Sequence, residues 1–107
     1  MSPWLYLTIA ICLEVAATLF LKLSDGFSDW RWGSASIWLY SMCFWVLAPA
    51  LKVLPVGVVY ALWAGLGILG ASALGYVIFN ERLMASQYFF IGFILVGAVG
   101  LRLTTQA

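Results

Sequence analysis

Four long apolar runs fill almost the whole chain, and only one acidic residue, Glu14, falls inside any of them. The runs cover about residues 4–22, 34–51, 55–79 and 86–103. A helix crossing a bilayer needs about 20 mostly apolar residues, so each run is of spanning length. Lipid cannot hydrogen-bond to the backbone, which limits a spanning segment to a helix or a strand of a closed barrel. Barrel strands alternate in polarity, whereas these runs are continuous. The expected fold is an all-α membrane protein, a single four-transmembrane-helix bundle over residues 1–107. Composition points the same way. Charged residues make up 8% of the chain and hydrophobic ones 65%, against about 25% charged in a soluble domain.

The connections are short. Ser24-Asp25-Gly26 is a turn and helix-stop signal after the first run. The loop 27–33 carries Asp29 and Arg31, with Trp30 and Trp32 reading as an interfacial aromatic belt. Lys52 ends the second run, and Pro55 suits the first turn of the third. Asn80-Glu81-Arg82 makes the third loop.

Several function classes are disfavoured. A net charge of +1 gives no polybasic surface for nucleic acid. The chain has no histidine, and its two cysteines, Cys12 and Cys43, sit inside apolar runs as small hydrophobes, so neither a metal site nor a cofactor is expected. One acid without a nucleophile–base pair does not make an enzyme. The first run lacks a basic flank and outlasts a signal-peptide core, so a cleavable leader is not expected. Orientation is nearly unmarked: Lys52 and Arg102 fall on one side of the membrane, and Lys22, Arg31 and Arg82 on the other. So small a bias favours insertion both ways round, which would allow antiparallel dimers.

Glu14 carries the chemistry. It lies near the middle of the first run, and Lys22 is two turns away at the helix end. An ionisable group at that depth is costly and functional by default. Its charged form calls for a neutralising partner, so the group can exchange a proton for a cation. Ala10, Ile11, Ala17 and Thr18 lie three or four residues away, a face of small side chains with one hydroxyl. In the third run Tyr60, Trp63 and Gly67 share a helical face, and two rings beside a carboxylate can cage a cation. A tyrosine deep in a span also needs a hydrogen-bond partner, for which Glu14 is available. Tyr40, Cys43, Phe44 and Leu47 share a face of the second run that would complete the cage. Packing remains the alternative reading of these aromatic and small residues. Gly65 and Gly67 either loosen the third helix as a hinge or let another helix approach closely.

Leu13-Glu14-Val15 with Thr18 and Lys22, Gly26-Phe27, Leu54-Pro55-Val56-Gly57, Tyr60-Ala61-Leu62-Trp63-x-Gly65-x-Gly67 and Gly97 together resemble the small multidrug resistance family of transporters. The resemblance covers almost the whole chain. It implies an antiparallel homodimer of dual topology in a bacterial or archaeal cytoplasmic membrane, alternating between inward-open and outward-open states. It also implies proton-coupled antiport that exports hydrophobic or quaternary ammonium cations, with the Glu14 of both protomers shared by protons and substrate. Tyr60 and Trp63 then contact substrate, with Tyr40 and Phe44 nearby. Gly65 and Gly67 form a hinge, and the last span, with Gly92 and Gly97, forms the dimer interface.

Departures from the family pattern bear on substrate. Ala64 and Cys43 stand where relatives often carry hydroxyls, and Ala16-Ala17 replaces a tryptophan of the guanidinium-exporting branch; these changes favour an apolar cation. Gly67-Ile68-Leu69-Gly70-Ala71 and Glu81 are nearer to the guanidinium branch, and Phe90-Ile91-Gly92 displaces a glycine of the drug exporters. A guanidinium or polyamine exporter of the same fold therefore stays open. So does a non-transporting membrane subunit or a passive channel, although neither explains a lone acid beside an aromatic face.

Overall fold

The computed structural model describes residues 2–105. Four helices follow in chain order: α1 (Pro3–Leu23), α2 (Trp30–Leu51), α3 (Val56–Phe79) and α4 (Ala85–Thr104). No strand occurs among the described residues. At about 1.5 Å per residue the helices are about 30–36 Å long, the thickness of a bilayer's hydrocarbon core. All four are apolar enough to cross it. They form two compact units, α1 with α2 and α3 with α4.

The first hairpin is tied at its turn. Ser24 is fully buried; its Oγ donates to the Leu21 carbonyl oxygen at 2.5 Å and accepts the Phe27 N–H at 3.1 Å. Asp25, Gly26 and Phe27 all take the left-handed conformation, with φ of 51°, 69° and 69°. This sharp reversal lays the Phe27 ring over Gly33, where a Cβ would stand 2.8 Å from Cδ1. α2 starts at Trp30, four residues ahead of the predicted span, because Asp29 caps it by accepting the Arg31 N–H at 3.2 Å. Trp30 and Trp32 therefore ride on the first turn of a helix rather than in a loop, and Trp32 packs edge-on against Phe20 at 5.2 Å. At its far end, Pro49 removes an intrahelical donor and α2 stops two residues later.

Small residues bring these helices together. Ala10 and Ala17 on α1 and Cys43 and Ala50 on α2 are all fully buried. Two polar side chains of α2 reach the backbone of α1: Ser36 Oγ donates to the Ala17 carbonyl oxygen at 2.8 Å, and Cys43 Sγ to that of Ala10 at 3.1 Å. In lipid such bonds satisfy groups that would otherwise find no partner.

The second hairpin closes at Gly65. A Cβ there would lie 3.0 Å from Ala98 Cβ and 3.6 Å from Ile94 Cγ2, so α4 approaches α3 closely at this point. Pro55 sits just before α3 as its cap residue, one position earlier than the first-turn placement expected. α3 ends in a left-handed Asn80, after which the Glu81 N–H reaches the Gly75 carbonyl oxygen at 3.1 Å. α4 opens with the Gln87 side chain accepting the Met84 N–H at 2.8 Å.

Candidate functional site

Glu14 lies midway along α1, and a helical repeat sets Thr18 one turn beyond it. Thr18 Oγ1 is 3.0 Å from Glu14 Oε1, 3.0 Å from the Glu14 carbonyl oxygen and 2.7 Å from the Tyr40 hydroxyl on α2. A threonine hydroxyl has one proton and can donate to one acceptor at a time. When Thr18 donates to Glu14, Tyr40 must therefore be the donor to Thr18. The three groups form a directed chain, Tyr40 to Thr18 to the carboxylate. A protonated Glu14 can donate to Thr18 in turn, which leaves the Thr18 proton for the Tyr40 oxygen or the Glu14 carbonyl. The chain thus accommodates both protonation states by turning its hydroxyls. Glu14, Thr18 and Tyr40 are all half-buried, so the carboxylate is shielded but reachable.

Ala10 and Cys43 flank this chain and are occupied with each other through the thiol-to-carbonyl bond. Their place is in the contact between α1 and α2. On the same face of α2, Leu47 is buried whereas Phe44 is 58% exposed, so the aromatic ring stands at the edge of the hairpin. Tyr40 was legible as an aromatic neighbour; its hydroxyl link to Thr18 was not, because helical spacing on one run says nothing of a partner on another.

In the second unit Tyr60 is 74% exposed and Trp63 half-buried, one turn apart on α3. Gly65 is buried under α4, and Gly67 is buried as well. Gly92 and Gly97 have open space where a Cβ would be. Five residues apart, they point about 140° away from each other and do not share one face. Gly97 belongs instead with Phe93, Val96 and Gly100, an exposed stripe at helical spacing.

Four spanning helices with an acid held inside one of them define a multi-pass membrane protein with an intramembrane ionisable site. The family model for the Small Multidrug Resistance protein matches residues 2–94. The chain belongs to the small multidrug resistance family, and is a multi-pass protein of the cytoplasmic membrane. It is 39% identical over 107 residues to the quaternary ammonium compound-resistance protein QacE of Escherichia coli, covering 100% of this chain and 97% of the relative. It is 37% identical to the quaternary ammonium compound-resistance protein QacC of Staphylococcus aureus, with 94% of each chain covered. The multidrug transporter PA4990 of Pseudomonas aeruginosa is 38% identical, over 100% of this chain and 97% of its own.

Proposed function

We propose that this chain is a proton-coupled antiporter that exports hydrophobic or quaternary ammonium cations, working as an antiparallel homodimer. The observation that carries the reading is the Glu14 carboxylate, held within a span by Thr18 and, through it, by Tyr40. Full-length likeness to relatives named for quaternary ammonium resistance supports the substrate class. Protons and cation compete for the same carboxylate: a cation binds the ionised form and leaves when protons replace it. Tyr60, Trp63 and Phe44 offer ring faces to the cation, and ring faces attract cations more strongly where water is excluded. Ala64 adds no hydroxyl and the Cys43 thiol is spent on Ala10, which favours an apolar cation.

In the proposed cycle two protons enter for each cation, or pair of charges, expelled. With a monovalent cation one net charge crosses the membrane, which adds about 2.3 kcal/mol per 100 mV to the driving force. Alternating access follows if the two protomers exchange conformations, with Gly65 and Gly67 taking up the bend. The exposed Phe93, Val96, Gly97 and Gly100 stripe of α4 supplies a surface for the second protomer.

Reconstituted liposomes with an imposed proton gradient test the reading. Glu14→Gln should abolish proton-driven cation uptake while leaving the protein folded; robust uptake by that variant would refute the mechanism. Trp63→Ala should lose aromatic cations before small ones. Unchanged transport of aromatic cations would remove the ring cage.

A further inference from the structure

The second hairpin carries a groove apart from the residues assigned to cation exchange. Leu69, Ser72, Ala73 and Tyr76 of α3 and Tyr88 and Ile91 of α4 enclose about 360 Å³ between the two helices. Along α3 its lining runs from Val77, two residues before the helix ends at Phe79, to Leu69. Eight helical residues rise about 12 Å, most of the roughly 15 Å of hydrocarbon in one leaflet.

Its mouth is charged. The Arg82 guanidinium lies over the Tyr76 ring, 6.0 Å from the centroid. A cation–π contact at this distance uses none of the guanidinium N–H donors, and such donors can meet a phosphate in pairs. The adjacent Glu81 places its Oε1 2.7 Å from where a Gly75 Cβ would lie. Tyr76 and Tyr88 are both exposed near this end, where tyrosines sit at membrane interfaces.

We infer that this groove binds one glycerophospholipid of the surrounding bilayer, with an acyl chain along Leu69 and Ala73 and the phosphate on Arg82. The occupant follows from the match of an apolar slot about 12 Å long to a cation at its mouth. A second protomer is a poorer match, because the exposed Gly97 stripe lies on the opposite side of α4 from Tyr88: nine residues turn a helix through about 180°.

Native mass spectrometry of the purified full chain, titrated with phosphatidylglycerol, tests this directly. Arg82→Gln removes the phosphate contact, and Ala73→Trp fills the slot from an exposed position. Each should lower retained phosphatidylglycerol about tenfold, while Arg31→Gln, at an exposed arginine of the first hairpin that does not line the groove, should not. The unchanged chain should also retain phosphatidylglycerol about tenfold better than diacylglycerol, which lacks the phosphate. Equal retention by either groove variant, an equal loss in Arg31→Gln, or no preference for the phosphate would overturn the proposal. A change of oligomeric mass in Ala73→Trp with lipid retention intact would assign the groove to a second chain and overturn it as well. None of these readouts depends on cation transport, so failure here and failure of the antiport reading are separate results.

Discussion

Thr18 is the residue on which the site turns, since it hydrogen-bonds both Glu14 and Tyr40. Its single proton makes the two contacts interdependent, so they should not behave as independent bonds. Thr18→Val and Tyr40→Phe should each weaken cation binding several-fold. The double variant should be less damaging than the product of the two, with a coupling of about 0.5–1.5 kcal/mol, the range for hydroxyl bonds between membrane helices. Dissociation constants for one cation across the four proteins measure it, and strict additivity would show that the chain is not a functional unit. Glu14 and Thr18 were legible in the sequence because one helical turn separates them. The role of Tyr40 was not, because it depends on the register between α1 and α2, which is set by Ala10, Ala17, Ser36 and Cys43 packed across the hairpin.

At the level of the helices, the hydrophobic runs located all four elements but not their ends. Apolar content reports what lies in lipid, and α2 continues beyond it because Asp29 provides a cap. The Arg31 side chain is the main cause of a depressed Asp29 pKa, with the Arg31 backbone N–H adding to it. A depressed carboxylate contributes its stability above the unfolded value and loses it as pH falls through the folded one. Fraying of the first turn of α2 is therefore expected only in acid below the ordinary carboxylate range. Amide exchange at Arg31 and Gly33 checks this, and Asp29→Ala should show the frayed behaviour already at neutral pH. Gly65 illustrates a different gap. Sequence offered hinge and packing as readings, and the 3.0 Å approach to Ala98 shows close packing at the same residue that the proposed cycle bends. Gly65→Val should destabilise the second hairpin by about 1–3 kcal/mol. Adding Ala98→Gly should recover part of that loss in thermal unfolding; no recovery would mean that the Ala98 contact does not cause it.

At the scale of the whole molecule, two basic residues on one side of the membrane against three on the other supply little orientation signal. The proposed antiparallel dimer requires both orientations to occur. A cysteine introduced at Ser28, with Cys12 replaced by serine, should react with an impermeant thiol reagent from both faces of the membrane. Reaction from one face only would rule out dual insertion. The dimer should use the exposed Gly97 stripe, so Gly97→Leu should shift the chain toward monomer, whereas a bulky residue at Gly92, about 140° around the helix, should do so less. The central claim, that one carboxylate serves protons and cation in turn, has a more direct readout. Adding a hydrophobic quaternary ammonium cation to the purified, weakly buffered protein across a pH series should release protons as the cation binds, and Glu14→Gln should release none at any pH. Proton release that persists in Glu14→Gln, or cation binding to the unchanged chain with no release anywhere in the series, would contradict it.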